Sequence, residues 1–512
     1  MQISVKLLLV AVLAGASSLC SQEAPKPDTK VDPGFVSIFN GEDLTGWDGE
    51  ERYWRIEDGA ITGETTEDNP VPYNKFIIWD EGELDDFELK LNYKITSGNS
   101  GIQIRSFRKN PERPYSIQGY QADLDAARGW AGTNYGEGFG GVLAKRGEKT
   151  ILKEKKEDNV VESIGDAGEL QAAIKENDWN EYHIVAKGNN IQQFINGKLM
   201  SDVTDERPNA RSSGLLALQL HGGPPMKVQF KDIQLKRTKL EEKKKIVFFA
   251  GLPSHRAGDH EHNAGCLLLA RLLNENYGDK IQATVYTNGW PADTTAIQNA
   301  DALVMYSDGQ TRHVGWWHRR QLTDLAKKGV GIGCIHYAVE MKPDDSNKDL
   351  ISWIGGAFEI NYSVNPHWDA EFKQLPDHAV ANGVEPFTIN DEWYFNMRFA
   401  EENVTPILSA IPPESTMERK DGHHSGNPTV RKMVADKLPQ HVCWVYDRED
   451  GGRGFGFTGG HRHVNWQDDN HRKTALNAIA WIAGVEIPEN GIETPTPNDE
   501  EMAANLDPKK KR

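Results

Sequence analysis

The chain has 512 residues, a formal net charge of −18 and 38% hydrophobic residues. That length exceeds one ordinary core, so two or three domains are expected. The acidic balance excludes general nucleic-acid binding, which needs cationic surface to displace counterions, and the apolar fraction excludes a wholly disordered chain.

At the N-terminus Lys6 precedes the apolar run Leu7 to Leu13, and Ala14-Gly15-Ala16 gives a small-residue cleavage pattern. Residues 1–16 therefore read as a secretory signal peptide, and the protein as exported, periplasmic or extracellular. Cys20 offers a lipid-anchored alternative, which the bulky Leu19 disfavours. No later stretch reaches about 18 uninterrupted apolar residues, so no membrane span is expected. Cys266, Cys334 and Cys443 lie in apolar surroundings and read as small buried hydrophobes.

Residues 21–33 are a polar linker. From Gly34 to Arg237 the dominant signal has period two. In "FELKLNYKI", Phe87, Leu89, Leu91, Tyr93 and Ile95 share one face, and Glu88, Lys90, Asn92 and Lys94 the other. Many such strands with glycine-rich turns predict an antiparallel sandwich. Parity places Gln103 with Arg105, Gln121 with Asp123, and Gln219 with His221 on the face away from the core. The loop "RGWAGTNYGEGFGG" adds Trp130, Tyr135 and Phe139. These side chains suit hydrogen bonding and stacking against a sugar; an ordinary wet face is the other reading.

The segments "FVSIFNGEDLTGWDG", "YWRIEDGAITG", "NSGIQIRS", "GYQADLD" and "WNEYHIVAKGNNIQQFINGK" occur in the order of a known family. Residues 34–237 resemble the 3-keto-disaccharide hydrolase-like domain. The resemblance implies a concanavalin-like jelly roll that cleaves 3-keto-glycosides through C2 deprotonation, elimination and hydration. The family often carries a carboxylate where this chain has Gln121, so Asp123 or Glu137 would serve as base. Arg105 and His221 would stand near the developing negative charge. Gln103, Gln121, Trp130, Tyr135 and Gln219 would hold a small-molecule carbohydrate. The alternative is a glycan-binding module without chemistry.

Residues 238–245, "TKLEEKKK", read as a charged linker. Then "KIVFFAG", "ATVYT", "ALVMYSD" and "GVGIGCIH" alternate with helix-like segments, which predicts a parallel sheet covered on both faces. Ligands in such sheets bind beyond the carboxyl ends of the strands. Three of those ends turn polar, at His255, Asp308 and His336. Fourteen of the 16 histidines follow residue 250, including His260, His262, His367, His461 and His463. His255, His336 and Glu392 are the catalytic candidates here, with Asp308, Tyr394 and His461 binding substrate. "GDHEH" and "HRH" match no standard zinc spacing, so acid–base chemistry is the main reading and a divalent metal its competitor. No cofactor is assigned, nor an oligomeric state.

"GVGIGCIHYA", "IGGAF", "DEWY" and "WVYDREDGGRGFGFTGGH" lie within residues 245–486, which resemble the trehalose-utilisation (ThuA-like) domain. This implies a flavodoxin-like α/β domain of the class I glutamine-amidotransferase-like superfamily. Its true amidotransferases use a nucleophilic cysteine in a strand-to-helix elbow; Cys334 lies within the strand, so thiol catalysis is not expected. Residues 493–512 read as a disordered tail.

Overall fold

The computed structural model describes residues 31–342 and 346–509. The signal-peptide reading and the Cys20 alternative lie outside the described residues.

The N-terminal half is a sandwich of a ten-stranded and a seven-stranded sheet. The strand Phe87–Ser97 alternates buried and partly exposed residues along most of its length. It pairs antiparallel with Asn180–Lys187 and Lys227–Arg237, at the middle of the larger sheet. Leu89 and Leu91 from that sheet meet Ile102, Ile104, Leu216 and Leu218 from the other in one core, as two facing pleated surfaces require. One pair, Glu148–Leu152 with Lys198–Asp205, is parallel, so the larger sheet is mixed. The smaller sheet runs Gly141–Ala144, Asn134–Glu137, Ile117–Asp125, Asn99–Arg108, Leu215–Leu220, Lys75–Trp79 and Trp47–Asp48. Its outer face carries the candidate groove.

The second half is a seven-stranded sheet in the order Ile281–Tyr286, Lys244–Ala250, Ala302–Tyr306, Gly331–Ile335, Arg453–Phe457, Gln440–Asp447, Val404–Ala410. The first five strands are parallel, and Gln440–Asp447 runs antiparallel to both of its neighbours, Arg453–Phe457 and Val404–Ala410. The order second-first-third-fourth is the flavodoxin-like one. Successive strand residues serve opposite cores: Ile246 and Phe248 pack with the helices His262–Tyr277 and Asp469–Ile482, while Val247 and Phe249 pack with Arg319–Ala326 and Ser346–Ile354. Cys266, Cys334 and Cys443 are unpaired and buried. Burial pushes the Cys334 thiol well above its ordinary range, which removes the thiolate that nucleophilic chemistry needs.

The segment read as a linker over 238–245 is shorter than expected. The sheet strand already starts at Lys244, and Lys245 is buried in an ionic contact between the two halves. There Asp85 of the sandwich accepts from Lys245 Nζ at 2.5 Å, from Asn299 at 3.1 Å and from Arg237 at 3.4 Å. Arg237 in turn donates to Asp293 at 2.7 Å. The tail is also more ordered than its composition suggests. Asn498 and Glu501 form a reciprocal cap on the short helix Asp499–Ala503, and Met502 is buried. Lys509 donates to the backbone carbonyl of His260 at 2.9 Å, so the tail braces a loop of the second site.

Candidate functional site

Two hollows collect polar side chains, one in each half.

The sandwich groove has a volume of about 780 Å³ and is lined by Gln121, Asp123, Trp130, Tyr135, Glu137 and His221, among others. Asp123 lies on the strand Ile117–Asp125, opposite Gly101 of the neighbouring strand. A Cβ at Gly101 would stand 2.5 Å from the Gln121 side chain, so only glycine leaves room for the amide beside it. Gln103 Nε2 donates to Gln121 Oε1 at 2.9 Å, and Gln121 Nε2 donates to Asp123 Oδ1 at 2.7 Å. Gln121 also reaches Gln219 Oε1 at 3.4 Å. Gln103 and Gln219 are fully buried beneath the groove, so they brace Gln121 and do not touch a ligand.

Burial raises the Asp123 carboxyl to about 7; the bond from Gln121 opposes this, and the charges of Glu137 and Asp125 add to it. Burial likewise raises Glu137, against the bond from Asn74 and the neighbouring His221. Asn74 Nδ2 donates to Glu137 Oε1 at 3.1 Å. Trp130 is 53% exposed at the rim, an apolar face open to a sugar ring.

Arg105 is not in this groove. The pairing of Asn99–Arg108 with Ile117–Asp125 shifts between Ile104 and Phe107, and Arg105 has a left-handed φ of 46°. This bulge breaks the alternation on which the sequence reading depended. The guanidinium instead donates to the Asp85 carbonyl, the Gly188 carbonyl and Asp86 Oδ1. Arg105 is therefore a buried structural ion-pair residue. Phe139 is also buried, in the sandwich core, and not free to stack on a sugar. Asn74 was missed because it stands outside the strand alternation, immediately before Lys75–Trp79.

In the α/β half, His255, His336, Glu392, Tyr394, Asp308 and His461 come together beyond the strand ends, with His260, which entered the sequence reading only through the histidine count and the "GDHEH" metal alternative. His255, His260 and His336 all have left-handed backbones, with φ of 56°, 48° and 56°. Such conformations turn the chain sharply and cluster at functional sites. His260 Nε2 is 3.0 Å from His461 Nδ1 and 3.0 Å from His336 Nε2; His461 Nδ1 is 3.3 Å from His336 Nε2. Glu392 Oε2 is 3.0 Å from His461 Nδ1 and 3.5 Å from His336 Nε2. His260, His336, Glu392 and His461 thus form a group able to hold a metal ion.

Burial and the surrounding imidazoles depress His260 far below the ordinary histidine range. Burial alone would raise Glu392, but the neighbouring His336 and His461 hold it well below the usual carboxylate range. Asp308 accepts from His260 Nδ1 at 3.0 Å, from Ser254 at 2.7 Å and from Arg312 at 3.0 Å. It orients His260, a different task from the substrate contact expected. His255 stacks on His260 with ring centroids 3.6 Å apart. Asp391 accepts from Gly460 and Asn465 and is structural. A cavity of about 470 Å³ opens over the cluster, reaching Arg419 and His424.

Two family models match the chain. The 3-keto-alpha-glucoside-1,2-lyase-like domain matches residues 34–236, and Trehalose utilisation (ThuA) matches residues 252–482. The two matches follow one another in that order along the chain. Among solved structures, a candidate glycosyl hydrolase from Parabacteroides distasonis is 15% identical, covering 40% of this chain and 98% of its own, with a TM-score of 0.28. A candidate ThuA-like protein from Bacteroides uniformis is 16% identical over 48% of this chain and 94% of its own, TM-score 0.33. Carbohydrate binding module CBM66 from Bacillus subtilis is 16% identical over 38% and 96%, TM-score 0.25. No curated protein matches the chain.

Proposed function

We propose that the chain acts on carbohydrate, and that its sandwich, residues 34–237, cleaves 3-keto-glycosides with Asp123 as the base. The observation that carries this reading is a buried carboxyl at the groove floor whose proton affinity lies near neutrality, at about 7. A base tuned to the working pH balances the fraction ionised against proton-transfer strength. The description of the matching family, a lyase-like domain for 3-keto-glucosides, supports the same substrate class.

The ketone at C3 acidifies the C2 hydrogen. Asp123 removes that proton, and the electron pair moves to give the C3 enolate. Its collapse restores the ketone, forms the C1–C2 double bond and breaks the C1–O bond. The leaving oxygen takes a proton from Glu137, whose burial favours the protonated form. Water then adds across C1–C2, hydroxyl to C1 and proton to C2. The net reaction is hydrolysis. His221, which lines the same groove, donates to the ketone oxygen as charge develops in this reading. Trp130 and Tyr135 hold the sugar.

The test is release of the aglycone from a chromogenic 3-keto-glucoside carrying deuterium at C2. A primary isotope effect is expected, with loss of roughly a hundredfold or more in rate for Asp123→Asn. Saturable binding without release would support the glycan-binding alternative and reject catalysis. We further propose that the protein works outside the cytoplasm, on the signal pattern of residues 1–16. Fractionation of cells and N-terminal sequencing of the mature chain test this.

A further inference from the structure

We propose that His260, His336, His461 and Glu392 form a site for one divalent transition-metal ion of the zinc class, in a second centre independent of the sandwich reaction. The argument rests on where the protons must sit. His336 Nδ1 lies 2.8 Å from the carbonyl oxygen of Thr458, which can only accept, so Nδ1 carries the hydrogen. His260 Nδ1 lies 3.0 Å from the Asp308 carboxylate and carries its hydrogen for the same reason. His461 has an acidic partner at each nitrogen, Glu392 Oε2 3.0 Å from Nδ1 and Asp259 Oδ2 3.5 Å from Nε2; with a metal ion on Nδ1 its hydrogen goes to Nε2, facing Asp259. In the neutral rings this leaves lone pairs on His336 Nε2 and His260 Nε2, and in that tautomer on His461 Nδ1.

Those three atoms are the ones that converge, at separations of 3.0, 3.0 and 3.3 Å, with Glu392 Oε2 as a fourth acceptor. Four electron-pair donors facing one point, in a buried place, repel unless a positive charge sits among them. Tyr394 brings one hydroxyl, 3.3 Å from His336 Nε2 and 3.4 Å from Glu392 Oε2, which satisfies a single contact. A proton on His461 would likewise bridge one pair. One divalent ion satisfies all four donors. With metal–nitrogen bonds of about 2.0–2.1 Å, tetrahedral nitrogens stand about 3.3 Å apart, close to the spacing here. The Asp308 carboxylate and the Thr458 carbonyl fix His260 and His336 as ligating tautomers, the second-layer pattern of metal histidines.

The cavity above gives the site its substrate class. His260 and Glu392 both belong to the cluster and line the cavity, so a molecule there reaches the ion. Arg419 Nη1 has no partner among the described residues, and Asn365 and His424 add polar groups. Such a lining suits a small polyoxygenated ligand that chelates through adjacent carbonyl and hydroxyl oxygens, as a keto-sugar does.

The experiment uses the full chain, stripped with chelator and titrated with Co2+ and Zn2+. One ion per chain is expected, with the visible bands of tetrahedral Co2+. X-ray absorption of the Zn2+-loaded wild type should show imidazole ligands. His336→Ala and Glu392→Gln should weaken binding at least tenfold, and Asp308→Asn by about 10–100-fold, with circular dichroism unchanged. No Co2+ spectrum and no Zn2+ uptake by the wild type would overturn the proposal, as would affinity unaltered in folded His336→Ala. Because the wild-type spectra need no variant, a misfolded mutant does not decide the matter. Adding 3-keto-glucose should shift the Co2+ bands; an unshifted spectrum at saturating sugar overturns the substrate assignment. Neither result depends on aglycone release by the sandwich.

Discussion

Replacing Asp123 by Asn should make the protein more stable in alkali while removing its proposed activity. The carboxyl is buried at the groove floor and raised from 3.8 to about 7, chiefly by burial. Each unit of displacement corresponds to about 1.36 kcal/mol, so a rise of about three units amounts to ~4 kcal/mol. Because the folded-state value lies above the unfolded one, this group's favourable contribution is fully present below pH ~4. It is lost progressively as the pH rises through about 7. Asparagine keeps the acceptor oxygen for Gln121 Nε2 and carries no charge. Relative to wild type, Asp123→Asn should therefore gain stability between pH 5 and pH 9, by a few kcal/mol at the upper end. For a domain of this size about 2–4 °C accompanies each kcal/mol, so ~10 °C is the scale to look for. Calorimetric scans of both proteins at a series of pH values read it directly, and the rate of 3-keto-glucoside cleavage should rise through pH 7 in the wild type alone. A difference in transition temperature that is constant from pH 5 to pH 9 would show that the carboxyl titrates in its ordinary range. That result would refute the base assignment.

Arg105→Ala removes a guanidinium that serves three backbone or carboxylate acceptors. It should cost about 3–5 kcal/mol in denaturant titrations, with the rate per folded molecule changed less than about threefold; a hundredfold loss at an unaltered midpoint would return Arg105 to the chemistry. Trp130→Ala, at the rim, should raise KM with little effect on kcat, since stacking there holds substrate and transition state alike. Asp85→Asn leaves Lys245 and Arg237 buried with one carboxylate fewer. A loss of about 3–5 kcal/mol, seen by calorimetry as a lowered transition, is expected; no loss would show that the contact between the halves contributes little.

Much of the architecture was legible in the chain because periodicity is a local property. The alternation in Phe87–Ser97 marks a half-buried strand wherever that strand lies. The change from alternating to uniformly apolar strands after Lys244 marks a sheet covered on both faces. The histidine excess after residue 250 and the polar strand ends at Asp308 and His336 pointed to the end of that sheet where these side chains cluster. The tail misled the reading because its polar composition conceals a capping box and a buried methionine.

Tertiary structure alone decided which of these residues meet. A single left-handed residue at Arg105 reverses the face on which its side chain emerges, and nothing in the residue type announces it. His260 precedes a helix and His461 follows a strand two hundred residues later, yet their ring nitrogens lie 3.0 Å apart. Which ring nitrogens of His336 and His260 meet an acceptor depends on Thr458 and Asp308, brought there by separate segments. Sequence specifies how a strand distributes its side chains between two faces. The direction of a lone pair depends on the backbone turns and hydrogen-bond partners that folding assembles around it.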